Sequence, residues 1–175
     1  MMPHSVGLHP VAASWIDALA AALVHAPSFR GYMLRPARRD DERFLFALHR
    51  DAMREYVEQT WGWNEAWQRR YFAEHYVPAR NAIIVGNGPP ARDVGRISVT
   101  RHWRKVFLRD IELVAAERNH GLGTALIDSV MSLAEAHDRY VELLVLKCNP
   151  AQHLYARLGF VVIDDDGARL RMRSG

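Results

Sequence analysis

IELVAAERNHGLGTALI, residues 111–127, is the stretch on which the fold turns. An apolar strand runs into Arg118-Asn119-His120-Gly121-Leu122-Gly123, and an amphipathic helix follows from Gly121 to about His137. Two glycines at a strand-to-helix turn let backbone N–H groups point together, and the helix N-terminus adds partial positive charge. Such a turn cradles a phosphate or pyrophosphate. Arg118 can add a charge-assisted contact and Thr124 a further donor. A Gly-x-Gly turn also serves plain helix packing, so the turn by itself leaves function open. It is not a P-loop, because no Gly-Lys-Ser/Thr follows. Nor is it the dinucleotide fingerprint, because position 126 is leucine where a glycine or alanine is required.

Working outward, Tyr32 to Arg35 reads as a first strand. Asp40 or Asp41 can cap a helix through about Tyr56, with Phe44, Leu45, Leu48 and Ala52 at helical spacing. Gly62 breaks the pattern. Asn64 can cap a second helix through His75, with Trp67, Tyr71 and Phe72 as its apolar stripe, and Pro78 ends it. The period then changes to strands at Ala82–Val85, Val94–Thr100 and Val106–Val114, the first two joined by the turn GNGPPARD. After the glycine turn and its helix, Tyr140–Leu146 is a buried strand. Pro150 suits the first turn of a short helix ending at Gly159, and Phe160–Ile163 and Ala168–Met172 form a hairpin across DDDG. The order β-α-α-β-β-β-α-β-α-β-β gives one domain, α/β in class (α+β mixed), with a mixed sheet.

The 175 residues are 49% apolar, 25% charged and 10% aromatic, which excludes collagen-like, coiled-coil and wholly disordered chains. A single cysteine, Cys148, excludes an internal disulfide and a cysteine-built zinc site. The nine histidines are scattered and Asp164–Asp166 sit at a hairpin tip, so no metal site is expected. The net charge is +3, with 21 arginines and two lysines spread from Arg30 to Arg173. A nucleic-acid binder concentrates its basic residues on one element, so no nucleic-acid partner is expected. No apolar run approaches the length of a membrane span, and no basic residue precedes the apolar run at 11–24. The expectation is a cytoplasmic protein without a membrane partner. Residues 1–31 carry one acid and one base and contain an alanine-rich helix candidate, Val11–Val24. Residues 1–31 are read either as an extension from an upstream start codon or as an additional helix, ahead of a domain at 32–175.

The second informative segment is LLVLKCNPAQHLYARLGFVV, residues 143–162. Arg118-x-x-Gly121-x-Gly123, followed by Asn149, Tyr155 and Gly159-Phe160, is similar to the GNAT superfamily of acetyl-CoA-dependent N-acetyltransferases. The resemblance covers roughly residues 32–174. It implies a mostly antiparallel six- to seven-stranded sheet flanked by helices, splayed between the fourth and fifth strands. It implies acetyl-CoA as co-substrate, with the backbone of Arg118, Asn119, His120, Gly121, Leu122, Gly123 and Thr124 on the pyrophosphate. It implies that Leu113 and Val114 pair with the pantetheine arm, that Asn149 shapes the cleft, and that Tyr155 lies beside the thioester sulfur. Many members form homodimers. The family often has proline where this chain has Ala115 or Ala116, a preference only.

Acetyl transfer to an amine needs a neutral nucleophile, although a free alkylamine has a pKa of about 10. It also needs an oxyanion donor and a proton for the leaving thiolate. The donor is expected to be the N–H of Leu113 or Val114, and the acid Tyr155. Glu112, between apolar neighbours, is the base candidate if burial raises its pKa; the competing reading pairs it with Arg96 or Arg109. Glu142, His102, His75 and a chain of waters are weaker alternatives. REYVEQTWGWNEAW, residues 54–67, sets Glu58, Trp61 and Trp63 together, and aromatic faces beside carboxylates suit a cationic amine. The competing reading packs the tryptophans in the core. The expected activity is N-acetylation of a small-molecule amine, less readily of a protein. The alternatives are a non-catalytic acyl-CoA-binding or regulatory module and, last, a nucleic-acid binder.

Overall fold

In the computed structural model, residues 11–175 are described. Helix α1 spans Val11–Leu23, strand β1 Tyr32–Pro36, α2 Glu42–Trp61, α3 Glu65–His75, β2 Asn81–Gly86, β3 Arg92–Arg101 and β4 Lys105–Leu113. Then come α4 Leu122–Glu135, β5 Tyr140–Leu146, α5 Ala151–Arg157, β6 Val161–Asp165 and β7 Arg169–Arg173. The strands join in one sheet in the order β1-β2-β3-β4-β5-β7-β6. Every neighbouring pair is antiparallel except β4 and β5. This is the mostly antiparallel mixed sheet the sequence implies.

The sheet opens between β4 and β5. Their parallel pairing runs from Lys105 with Tyr140 to Leu108 with Leu143 and goes no further. Beyond it β4 stays on β3 as far as Leu113, and β5 follows β7 as far as Leu146. The parting coincides with an irregularity in the β3–β4 ladder. Ser98 faces Asp110 but Val99 faces Leu108, so Arg109 has no partner across the ladder. An extra residue on one strand bends that strand and adds twist, which turns β4 away from β5.

Alternation along the strands divides the core. Ala82 and Ile84 of β2 pack in the larger cluster, with Leu19 and Leu23 of α1 and Leu126 and Val130 of α4. Ile83 and Val85 pack in the smaller cluster, with Leu45 and Leu48 of α2. The helix expected near Val11–Val24 is therefore present as α1, and its side chains at 19 and 23 are fully buried.

Three local features differ from expectation. Helix α2 continues past Tyr56 to Trp61 and ends where Gly62 takes a positive φ of 80°. Asp41 does not cap α2 with its side chain. Its carboxylate instead accepts two hydrogen bonds from Arg35, both at 2.8 Å, and one from the Arg38 N–H. The stripe of α3 is only partly core: Trp67 and Tyr71 are 47% and 46% exposed, whereas Phe72 packs against the smaller cluster. Asn64 does cap α3, accepting from the Trp67 N–H at 2.9 Å. No described helix is long and apolar enough to cross a membrane.

Candidate active site

The glycine turn has the backbone that its sequence requires. Asn119 and Gly121 both take positive φ, 64° and 82°. A Cβ on Gly121 would be strained by that φ and would also crowd Ser28 Oγ at 3.0 Å. The first bond of α4 is Ala125 N–H to Gly121 O at 3.0 Å. The N–H groups of Leu122, Gly123 and Thr124 precede it and have no intrahelical partner. The Leu122 side chain is buried and anchors the turn, whereas Asn119 and His120 are exposed. Arg118 folds back, donating from Nε to the Leu113 carbonyl at 2.8 Å.

That carbonyl identifies which backbone groups face the opening. The Val114 N–H donates to Val94 O at 2.9 Å, and the Val114 carbonyl accepts from Glu117. In an antiparallel ladder successive residues turn their N–H and C=O to opposite edges. Leu113 therefore presents both groups to the side that β5 has left, and Val114 does not. Val114, expected to share the pantetheine pairing and the oxyanion role, is corrected on this ground: its N–H belongs to β3. Gly95, opposite Leu113, permits the close approach, since a Cβ there would lie 2.6 Å from the Glu112 carbonyl oxygen.

Tyr155 stands on α5 against Phe160, ring centroids 5.7 Å apart. Burial pushes its hydroxyl up to about 12, and the charges of Asp110 and Glu112 push the same way. It is thus a protonated phenol across the neutral range. Asn149 Oδ1 accepts from the Ala151 N–H at 2.9 Å, fixing the start of α5. Cys148 packs against α2, its sulfur 3.4 Å from Thr60 Oγ1.

Glu112 is buried on β4, and its two oxygens are both engaged. Oε2 accepts from Arg96 Nε at 2.8 Å, and Oε1 lies 2.7 Å from His49 Nδ1. Arg96 also reaches Asp110 at 3.2 Å. Burial alone would raise the Glu112 pKa. The Arg96 guanidinium and the His49 hydrogen bond outweigh burial and hold it at about 2. The raised pKa expected of a base at Glu112 is therefore reversed, and the pairing with Arg96 is the observed arrangement. An ionised Glu112 can only accept, so Nδ1 of His49 carries the proton. In the neutral imidazole Nε2 is then an acceptor.

His49 lines a cavity of about 380 Å³ between α2, α3 and the exposed face of β4. Trp61, Trp67, Tyr71 and Phe72 supply aromatic walls, and Arg80, Arg109, Asp110 and Arg169 supply charge. Trp61 is 59% exposed and lies 6.0 Å from the Arg169 guanidinium. The tryptophans expected in the core or beside carboxylates divide between two places. Trp63 donates from Nε1 to Glu65, and its N–H bonds to Glu58 at 3.0 Å. Glu58 lines a separate hollow with Arg50, Asp51, Arg54 and Glu55. Of the residues read from 54–67, Trp61 reaches the cavity, while Trp63 sits beside the Glu58 and Glu65 carboxylates at the α2–α3 junction. Among the described residues no cluster of three or more His, Cys, Asp or Glu side chains is placed to hold a metal.

Residues not singled out from sequence are His49, Arg80 and Arg169, and Arg109 enters there only as a partner for Glu112. His49 left a trace, standing four residues after Leu45 in the apolar stripe of α2. Arg80 and Arg169 left none, since 21 arginines dilute the signal.

A family model described as "Acetyltransferase (GNAT) family" matches residues 45–160. No curated protein matches. Among solved structures, PaiA N-acetyltransferase from Thermoplasma acidophilum, in complex with coenzyme A, is 16% identical with a TM-score of 0.65. The match covers 82% of this chain and 98% of that one. A structure described as histone acetyltransferase HPA2 and related acetyltransferase, from Corynebacterium glutamicum, is 20% identical with a TM-score of 0.57, covering 82% and 96%. Arabidopsis thaliana Naa50, bound to a bisubstrate analogue, is 16% identical with a TM-score of 0.54, covering 82% and 97%. These likenesses establish the shared fold.

Proposed function

The chain belongs to the acetyltransferase (GNAT) family and is an acyltransferase; from that premise we propose that it moves the acetyl group of acetyl-CoA to a primary amine of a small molecule by direct attack in a ternary complex. The observation that carries this reading is the opening of β4 from β5 beyond Leu108 and Leu143. Unpartnered amides of the glycine turn follow that stretch of β4, and Arg109 and Asp110 within it line an aromatic cavity.

The residues fit acetyl-CoA. The free amides of Leu122, Gly123 and Thr124, with those of Asn119, His120 and Gly121 and the Arg118 guanidinium, suit a pyrophosphate. The edge of β4 that β5 has left suits the amide-bearing pantetheine arm as an added strand, with the Leu113 N–H kept for the thioester carbonyl, and Asn149 borders it. The co-substrate supplies an acetyl group activated as a thioester. The Leu113 N–H donates to the carbonyl oxygen as negative charge grows there. The Tyr155 hydroxyl donates a proton to the departing sulfur.

His49 is the general base in this reading, and it replaces Glu112 in that role. Nε2 accepts the amine proton; Glu112 fixes the tautomer and steadies the imidazolium that forms, as a carboxylate does for a histidine in hydrolytic triads. Glu112 is therefore a positioning residue. A cavity of about 380 Å³ suits a small acceptor, since small-ligand pockets run from about 300 to 1,000 Å³. The test is an amine panel with acetyl-CoA, read by mass spectrometry of the products. Acetylated small amines are expected. Tight coenzyme A binding with no transfer to any amine would replace this reading with a non-catalytic acyl-CoA-binding module.

A further inference from the structure

The cavity is electrically polarised. Asp110 and Arg96 line it, and behind them the buried Glu112 shares the Arg96 guanidinium with Asp110, at 2.8 and 3.2 Å, so this group of three carries an excess negative charge. Arg169 is paired with Asp166 at 2.7 Å. Arg80 and Arg109 also line the cavity, both are exposed, and neither has a carboxylate partner among the described residues. Arg109 is the residue without a cross-strand partner where β3 and β4 lose register.

We propose that the acceptor is an amine that also carries an anionic group, a carboxylate or a phosphate, with the anion bound by the exposed Arg80 and Arg109 and the amine drawn to Asp110 beside His49. The proposal rests on the acetyl-transfer reading and names the substrate class for it. Guanidinium forks match the oxygen spacing of both anions and bind them in bidentate fashion. The charge gradient orients a substrate that is cationic at one end and anionic at the other, so its amine enters first.

The walls between the two poles are flat and apolar. Trp67 stacks on Tyr71 at 4.9 Å and Tyr71 on His75 at 4.0 Å, all three lining the cavity. A ring or hydrocarbon body between amine and anion would lie along this ladder. Asn81, also on the lining, holds a buried Oδ1 without a hydrogen-bond partner, while its Nδ2 donates to Val77 O. An N–H or O–H of a bound acceptor would satisfy that oxygen.

The experiment compares benzylamine, 4-(aminomethyl)benzamide, 4-(aminomethyl)benzoate and 4-(aminomethyl)phenyl phosphate as acceptors. The carboxylate or phosphate amine is expected to exceed the amide at least tenfold in kcat/KM, chiefly through KM, with the advantage shrinking as salt rises. Which anion wins identifies the source. Arg109→Gln and Arg80→Gln are expected to bring the anionic-to-neutral ratio toward one. Neutral amines matching the anionic ones, or a ratio untouched by both substitutions, would overturn the proposal while leaving acetyl transfer intact. If no amine is acetylated although coenzyme A binds, the transfer reading fails. Calorimetry then decides the subsite: 4-(aminomethyl)benzoate binding the native protein but not Arg109→Gln supports it, and equal binding to both overturns it.

Discussion

The turn at Arg118–Thr124 and the cavity under α3 are both reached from β4, yet they are built from different material. The turn offers backbone amides, held by two positive-φ residues and a helix start. The cavity offers side chains drawn from α2, α3, β3, β4 and the β6–β7 hairpin. A backbone site tolerates most side-chain changes and fails when the backbone fails. A side-chain site can be emptied one residue at a time, and it can be re-tuned for another acceptor without disturbing the fold.

The largest effects should therefore come from single side chains at the reacting end. Tyr155→Phe is expected to lower kcat about a hundredfold, within the usual range for a lost general acid, with coenzyme A affinity retained in calorimetry. An unchanged rate would remove Tyr155 from the chemistry. His49→Gln is expected to cost a similar factor, with coenzyme A affinity again retained in calorimetry. An unchanged rate would return the base to water.

Glu112→Gln should act on stability as well as rate. Removing one partner of a buried pair costs about 3–5 kcal/mol, and Asp110 beside Arg96 argues for the lower part of that range. The sign with pH follows from the depressed pKa. The Glu112 contribution is complete above the unfolded carboxylate range and is lost as pH falls from about 4.3 toward about 2. Thermal melts across that window should fall more steeply in the native protein than in Glu112→Gln. Equal slopes would show that other carboxylates control acid unfolding.

Smaller effects are expected at the turn. Gly121→Ala forces a left-handed conformation on a residue with a Cβ, at about 1–2 kcal/mol, and crowds Ser28. Coenzyme A affinity should drop about tenfold, since roughly 1.4 kcal/mol is a factor of ten. Arg118→Ala should weaken it only a few-fold, because the amides remain. A loss at Arg118 larger than at Gly121 would break the contrast between a backbone site and a side-chain site.

The same contrast explains what could be read in advance. Glycine spacing, Asn64 before α3 and Pro150 before α5 are local signals of local geometry, so the order of elements and the turn were legible. The partners of Glu112 were not, because Arg96 lies 16 residues away and His49 lies 63 away. Nor was the division between Leu113 and Val114 legible. It depends on which edge of β4 has lost its neighbour. The aromatic residues at 67, 71 and 72 were correctly read as one helical stripe. Helical spacing says they share a side but not whether that side meets core or cavity.

Helix α1 has a consequence for how the gene is expressed. Met33 lies inside β1, downstream of α1. A polypeptide begun there would lack Leu19 and Leu23, both fully buried in the main cluster with α4. It would also lack Ser28, the neighbour of Gly121. The shorter product would thus lose interior rather than tail, exposing the back of the helix whose front end forms the turn. Recombinant protein started at Met33 should be recovered as aggregate, because α1 fills interior that nothing else in the fold replaces.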